Sequence, residues 1–214
     1  MGNVNILLEN MKKSSKKKST RSYHHGDLKK ALMEEGLKMI EKQGAENLTL
    51  RDLARTLGIS HNAPYRHFTS REDLLAALTL EGAKLFVNAL TEGHNGIYKT
   101  EKDFSRMGEG YIRFAVNFPE YYRLLFFQKH FDWNNYPDLL SVMNDAFGAL
   151  MGAVQDLQKA DVIHKDDPMM ISMGIFSYIH GFTSLMMSKR LPPGNDPVIV
   201  FNHLMLLYLR GLRK

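Results

Sequence analysis

LTLRDLARTLGISHNAPYRHFTSREDLLAAL, residues 48–78, is the stretch that decides the fold. Thr49 precedes a short apolar pattern at helical spacing, and threonine in that place is a preferred helix N-cap. Gly58 ends this first helix, because glycine readily adopts the left-handed conformation that closes a helix. A second short helix is predicted between residues 60 and 68. Two short helices joined by a glycine turn form a candidate helix-turn-helix at about residues 50–69.

Pro64 lies inside the second predicted helix and cannot donate a backbone hydrogen bond. If Ser60 is the N-cap, Pro64 is the fourth helical residue, the first whose N–H would ordinarily bond back into the helix. Proline also biases Ala63 away from helical geometry. We therefore expect a distorted or 3₁₀-like turn at residues 61–63, with Pro64 facing the core and Tyr65 to Phe68 completing the helix.

Helical patterns dominate the rest of the chain, and strand patterns are scarce. A helix is predicted from Asp27, as N-cap, to Gly44, and a long helix from Ser70, also as N-cap, to about Glu92. Further helices are predicted at residues 103–117, 119–130, 137–160, 168–190 and 197–212, the last four starting at prolines, a position that tolerates them. The predicted fold is all-α: an N-terminal three-helix helix-turn-helix domain joined by a long helix to a larger helical domain. The predicted divisions are a basic arm (1–22), a first domain (23–92) and a second domain (93–214).

The net charge of +5 lies entirely at the N-terminus. Residues 1–26 carry six basic residues and one acidic residue, whereas residues 27–214 carry 22 of each. The Ser/Lys-rich arm cannot form a core, so it is expected to be disordered. Two interpretations stay open: a solvated tail, or an arm attracted to phosphate or to a minor groove.

No enzyme motif occurs in the sequence. There is no cysteine, no His-Glu-x-x-His, no Gly-x-Ser-x-Gly and no glycine-rich phosphate loop. We expect neither catalysis nor a cofactor or metal. The absence of cysteine fits a reducing compartment, and the first ten residues are a poor signal peptide, so a cytoplasmic location is predicted.

Four features between Tyr23 and Leu78 occur in a characteristic order. They are Thr49, Gly58-Ile59-Ser60, Tyr65-Arg66-His67-Phe68, and Ser70-Arg71-Glu72 followed by Leu74-Leu75. In this order and spacing the run resembles the DNA-binding domain of the TetR/AcrR family of one-component bacterial repressors. The sequence departs from the family pattern at two positions. Arg71 replaces the usual lysine, and Pro64 replaces a residue that is commonly aliphatic.

The resemblance implies a DNA-binding surface on the helix-turn-helix. Phosphates would be contacted by the hydroxyls of Thr49 and Tyr65 and by the side chains of His67 and Arg71. Such contacts position the protein on DNA without reading its sequence. Base edges would be read by His61, Asn62, Ala63 and, as further candidates, Arg51 and Arg66. Ser60 also belongs to this set, as N-cap and hydrogen-bond donor. The implied partner is a double-stranded DNA operator.

Phe176-Ser177-Tyr178-Ile179-His180-Gly181 is similar to the Trp-x-x-x-His-Gly signature of the WHG type of C-terminal domain, with Phe176 in place of tryptophan. Residues 111–136 also contain ten of the 22 aromatic residues, from which we predict a wide apolar cavity. His180 is interpreted as a hydrogen-bonded core residue or as the polar anchor of that cavity. The candidate effector-binding residues are Phe114, Phe118, Tyr122, Phe126, Trp133, Met143, Phe147, Met173, Phe176 and His180.

Residues 169–187 contain no Asp, Glu, Lys or Arg and approach the length of a membrane span. Small residues recur there at steps of three and four, which favours a helix buried in an oligomer interface over a membrane helix. We predict a homodimer in which helices 168–190 and 197–212 of two subunits form a four-helix interface. The candidate interface residues are Gly174, Ser177, Gly181, Ser184, Ser188, Phe201, Leu204, Met205 and Tyr208.

These patterns together predict a cytoplasmic, ligand-responsive transcriptional regulator. We expect a repressor that a small apolar effector, neutral or weakly anionic, releases from a palindromic operator. An activator is one alternative. A helical ligand carrier or enzyme with an incidental helix-turn-helix is the other.

Overall fold

The computed structural model describes residues 25–93, 95–127, 131–192, 194 and 196–212, which form eight α-helices and no strand. The all-α prediction is confirmed, whereas the basic arm lies outside the described residues. The helices are α1 His25–Gln43, α2 Leu50–Leu57, α3 Arg71–Thr91, α4 Glu101–Asn117, α5 Pro119–Phe126, α6 Pro137–Lys159, α7 Pro168–Met187 and α8 Pro197–Gly211.

Helix starts follow the local sequence closely. Each of α5 to α8 begins on a proline, where the missing N–H costs no hydrogen bond. At the start of α3, the Ser70 hydroxyl accepts the N–H of Asp73. Four predicted limits were wrong by two residues or more. Helix α1 begins at His25 rather than after Asp27, and α4 begins at Glu101 rather than 103. Helix α5 ends at Phe126 rather than 130, and α7 ends at Met187 rather than 190.

The N-terminal bundle consists of α1, α2 and the first turns of α3, around a closely packed leucine core. Phe68 is also buried there, at the end of the helix-turn-helix, and Lys29 of α1 lies over its ring. Since burying a leucine or phenylalanine side chain stabilises a fold by roughly 1.5–3 kcal/mol, this small bundle holds the helix-turn-helix in place. Its fully buried leucines are Leu32, Leu48, Leu53, Leu74, Leu75 and Leu78.

Helix α3 joins the two halves of the protein, because it leaves the N-terminal bundle and then packs against α4, α5 and α6. At Gly110 of α4, a Cβ atom would lie 1.9 Å from the carbonyl oxygen of Ala89 in α3. At Gly82 of α3, a Cβ atom would lie 2.9 Å from the Tyr121 side chain of α5. These two glycines allow α4 and α5 to approach α3 directly.

Among the residues that the structure describes, two helices, α3 and α7, have the length and apolar composition that a membrane span requires. Core helices of globular proteins share both properties. Here α3 is packed among α4, α5 and α6, and α7 packs with one face against α4, α6 and α8.

Candidate DNA-binding surface and effector cavity

Helix α2 is closed at both ends by the residues that the sequence indicated. The Thr49 hydroxyl accepts the N–H of Asp52 at 3.0 Å. Gly58 has φ 66° and ψ 29°, a left-handed conformation that favours glycine, and its N–H reaches the Arg55 carbonyl. The following N–H, of Ile59, reaches the carbonyl of Ala54 at 3.0 Å. These bonds satisfy the end of α2 and reverse the chain toward Ser60.

The second predicted helix, residues 60–68, was wrong in extent. The chain instead forms a turn in which the N–H of Ala63 donates to the Ser60 carbonyl at 3.0 Å, and a single 3₁₀ turn, Pro64–Arg66, follows. Pro64 is buried, as expected, and opens the 3₁₀ turn because that position needs no N–H. The N–H groups of His67 and Phe68 both donate to the Pro64 carbonyl, at 2.9 and 3.0 Å, which ends the element.

Most of the predicted DNA-contacting side chains are accessible. Tyr65 is 46% exposed although it follows the buried Pro64. Ala63 and His67 are half-buried. The remaining exposed members of the set are Thr49, Arg51, Ser60, His61, Asn62 and Arg66. The turn and the 3₁₀ element therefore present hydroxyl, imidazole, amide and guanidinium groups to solvent.

Arg71 differs from the rest of the set. Its guanidinium donates to the carbonyl of Ala45 at 2.7 Å and also lies 3.4 Å from Glu72. It thereby fastens the connection between α1 and α2 to the first turn of α3. The Arg71 guanidinium therefore serves a structural contact within the chain, 26 residues away in sequence.

An apolar cavity of about 240 Å³ lies between α3, α4, α6, α7 and α8. Almost all of its wall is hydrocarbon, and none of its described lining residues carries a charge. The lining residues are Phe86, Leu90, Phe104, Met107, Gly108, Tyr111, Met143, Ala146, Phe147, Leu150, Ile175, Phe176, Ile179, Phe201 and Met205.

A polar centre lies at the Tyr111 end of the cavity. The Tyr111 hydroxyl lies 3.0 Å from Nδ1 of His180, which is half-buried among aromatic rings. Phe126, Phe127 and Phe176 surround the imidazole at centroid distances of 5.2 to 5.7 Å. Burial lowers the pKa of His180 and raises that of Tyr111 well above its ordinary value, so both groups are neutral at pH 7.

Sequence reasoning identified only part of the cavity wall. Of the ten candidate effector-binding residues, Met143, Phe147 and Phe176 line it, and Tyr122 and Phe126 belong to the aromatic cluster around His180. Four others do not reach it. Phe114 is buried against Phe86, Phe118 is exposed beside Tyr121, Trp133 stacks on Phe131, and Met173 is exposed on α7.

Two residues assigned to the subunit interface line the cavity instead. Phe201 and Met205 are almost fully buried within the chain, because they form the face of α8 that packs against α4. Gly174 and Tyr208 also face each other within the chain, since a Cβ at Gly174 would lie 2.5 Å from the Tyr208 hydroxyl. Ser177, Gly181 and Ser188 are exposed, and Ser184 and Leu204 are half-buried.

Comparison with known families identifies the protein's class. A family model described as bacterial regulatory proteins of the tetR family matches residues 32–78. A second, described as the tetracyclin repressor-like C-terminal domain, matches residues 104–208. The chain belongs to the TetR family of bacterial regulators. TetR-family regulators bind DNA through the first domain and ligands through the second, and they act as dimers.

Solved structures agree with this assignment. A protein of unknown function from Rhodococcus sp. RHA1 is 28% identical, with a TM-score of 0.78 over 91% of this chain and all of that one. The TetR family regulator PfmR from Thermus thermophilus is 22% identical, with a TM-score of 0.66 over 86% of this chain and 99% of PfmR. The fatty acid degradation regulator FadR from Bacillus halodurans, 15% identical, shares the fold at a TM-score of 0.66 over 86% of this chain and 99% of FadR. No curated protein matches the chain.

The protein is therefore a non-enzymatic transcription factor with a DNA-binding and a ligand-binding domain. Among the described residues there is no cluster of three or more histidine, aspartate or glutamate side chains that could hold a metal.

Proposed function

We propose that this TetR-family regulator is a cytoplasmic homodimeric repressor that a small, uncharged apolar effector releases from a palindromic operator. The observation that carries the proposal is an apolar cavity in the same chain as an exposed helix-turn-helix surface. The helix α3 contributes Phe86 and Leu90 to the cavity wall, and its other end follows the helix-turn-helix directly.

The DNA-facing proposal rests on accessibility and residue type. Tyr65 and Thr49 supply hydroxyl donors suited to phosphates, and free N–H groups at the start of α2 add to them. His61 and Asn62 lie in the exposed turn, where asparagine can pair with adenine in the major groove. Together they would position one subunit on a half-site and read part of its sequence.

The effector class follows from the cavity wall. An ionised carboxylate or ammonium in this wall would lose its hydration without gaining a partner of opposite charge among the described lining residues. Hydrocarbon or aromatic bodies fit the wall, and the methionines Met107, Met143 and Met205 can adapt to different shapes. One polar group of the effector could meet the Tyr111 hydroxyl. We therefore favour a neutral effector.

The dimer proposal rests on the outer faces of α7 and α8. In the described part of the chain these faces expose large apolar side chains: Met169, Met170, Met173, Leu185, Ile199 and Leu207. Several exposed large apolar side chains on two adjacent helices favour an interface. A twofold pairing of these helices would place two helix-turn-helix elements on half-sites about one DNA turn apart.

Release from DNA would require the effector to bind the two states of the dimer with different affinity. Because α7 and α8 line the cavity and also form the proposed interface, an effector that fills the cavity would change the spacing of the two DNA-binding domains. DNA and effector should then weaken each other's binding by the same factor.

The test begins with selection of duplexes from a randomised pool by the purified full-length protein at moderate salt. We expect a palindromic sequence to be enriched and to bind far more tightly than a scrambled duplex. Compounds extracted from the purified protein are then identified by mass spectrometry and added back. Enrichment of no sequence, with only salt-sensitive non-specific binding, would contradict the repressor proposal.

A cavity-filling variant supplies the control for the effector site. Ala146→Leu places a larger side chain in the cavity wall, whereas Ala160→Leu adds the same bulk at an exposed position. We expect Ala146→Leu to bind the selected duplex normally and to lose its response to the extracted compound. A reporter gene placed behind the selected sequence separates repression from activation.

A further inference from the structure

We propose that Tyr136 is a positioning residue for DNA binding: its hydroxyl, through Asp73, holds the point where the chain leaves the helix-turn-helix. Tyr136 lies outside the DNA-binding domain, directly before α6. The proposal rests on the DNA-binding function proposed above and adds a residue that lies outside both the sequence motif and the match to the DNA-binding domain, residues 32–78.

Asp73 is the central group of this contact. One carboxylate oxygen accepts the Tyr136 hydroxyl at 2.9 Å. The other accepts both the backbone N–H of Thr69, at 3.0 Å, and the Thr69 hydroxyl. The Asp73 side chain therefore joins the loop before α6 to the residue that follows Phe68.

Thr69 is the residue at which the chain leaves the helix-turn-helix. It follows the buried anchor Phe68 and precedes Ser70, the N-cap of α3. Holding the Thr69 backbone limits how far the 3₁₀ turn Pro64–Arg66 can move relative to α3. A carboxylate held on both oxygens is more rigid than one held on a single oxygen, because fewer side-chain rotamers satisfy all its partners.

Tyr136 is in turn fixed to α6. Its carbonyl accepts the N–H groups of Leu139 and Leu140, at 3.0 and 3.2 Å, in the first turn of that helix. Its own N–H donates to the carbonyl of Trp133 at 2.9 Å, and its ring packs edge-on against Phe131 at 4.9 Å. The hydroxyl therefore follows any displacement of the start of α6.

The same helix forms one wall of the effector cavity. Met143 is seven residues beyond Tyr136, which corresponds to about 10 Å along the helix. A molecule that pushes Met143 and Phe147 outward would move the Tyr136 hydroxyl away from Asp73. The contact thus gives the cavity a direct mechanical connection to the helix-turn-helix, in addition to the packing of α3.

Tyr136→Phe removes the hydroxyl and keeps the ring. The matched control is Tyr178→Phe, because Tyr178 stacks on Tyr208 and its hydroxyl has no hydrogen-bond partner within the described part of the chain. We expect Tyr136→Phe to weaken binding of the selected duplex about three- to tenfold and to speed amide hydrogen exchange at Thr69. Tyr178→Phe should change neither quantity.

A double-mutant cycle with Asp73→Ala decides whether Tyr136 acts through Asp73. In the Asp73→Ala background, Tyr136→Phe should produce no further loss of DNA affinity. An equal loss in both backgrounds would overturn the proposal. So would a Tyr136→Phe protein that melts at a lower temperature but keeps wild-type DNA affinity and Thr69 exchange, because the hydroxyl would then be only structural.

The two proposals fail in different ways. If the wild-type protein selects no duplex, the proposed function fails, and the exchange rate of the Thr69 amide still measures the contact. If a duplex is selected and Tyr136→Phe binds it like wild type, only the role of Tyr136 is refuted.

Discussion

Gly110→Ala tests the direct contact between α3 and α4. Its new Cβ atom would lie 1.9 Å from the Ala89 carbonyl oxygen, where an ordinary contact begins at 3.4 Å. The two helices must therefore separate by about 1.5 Å, or the backbone must distort by a similar amount. Backbone atoms cannot rotate out of the way as the end of a flexible side chain can.

The expected change in the free energy of unfolding is the difference between two effects. Overpacking of this kind costs about 1–3 kcal/mol, and sometimes more. Replacing glycine by alanine inside a helix contributes about 0.5–1 kcal/mol in the other direction. Because the clash is with rigid backbone, the upper end of the first range applies, and we expect a net loss of roughly 2–2.5 kcal/mol. For a chain of this size this lowers the melting temperature by about 4–10 °C.

Gly148→Ala is the matched control, because Gly148 also lies in the middle of a helix and its Cβ would meet nothing within 4 Å. Without a clash, only the helix propensity remains, so this variant should melt about 1–4 °C above wild type. Both proteins are compared by calorimetry at one protein concentration, since association shifts apparent stability. A Gly110→Ala protein as stable as wild type would refute the reasoning.

Three further predictions concern the DNA surface, the dimer face and the cavity. Tyr65→Ala should weaken binding to specific and scrambled duplexes alike, whereas Asn62→Ala should relax preference at particular base pairs by about 1–3 kcal/mol, as measured by fluorescence anisotropy on duplex variants. Met173→Glu, on the exposed face of α7, should shift the protein toward the monomer in sedimentation experiments, and an unchanged dimer would exclude this face. Burial lowers the pKa of His180, so an NMR titration should place it below 6.5. Because the unfolded chain takes up this proton first, His180 should reduce stability as pH falls through 6.5 toward its folded pKa, and should leave stability unchanged above that range.

The arrangement of helices was readable from the sequence because helix starts are determined locally. Proline at the first position of α5 to α8 and the Ser70 cap of α3 act through their own backbone neighbours. The end of α5 at Phe126 has no such local signal. The sequence predicts that Pro64 disturbs the second helix. It does not show whether Tyr65 to Phe68 continue that helix. In the structure they do not, and the N–H groups of His67 and Phe68 both donate to the Pro64 carbonyl instead.

The cavity wall was harder to predict than the helices. Helix α8 is apolar on nearly every side, so its sequence does not distinguish the inward Phe201 and Met205 from the outward Ile199 and Leu207. The aromatic-rich residues 111–136 led to the prediction that Trp133 and Phe118 line the cavity. Aromatic content alone does not indicate which side chains face it. Phe86 and Leu90 of α3 were missed because the family resemblance assigned that helix to the DNA-binding domain.

Helices α7 and α8 line the cavity with one face and form the proposed dimer interface with the other. This arrangement restricts how such a regulator can evolve to respond to new compounds. In the proposed dimer, each substitution on these helices risks changing both the recognised compound and the pairing of subunits, because the inner and outer faces lie on one helix. Helix α6 has a freer outer face, with Asn144, Asp145 and Gly148 exposed opposite its cavity-lining residues. Random mutagenesis selected for response to new compounds should therefore accumulate changes at Met143, Phe147 and Leu150 and few in α7 and α8.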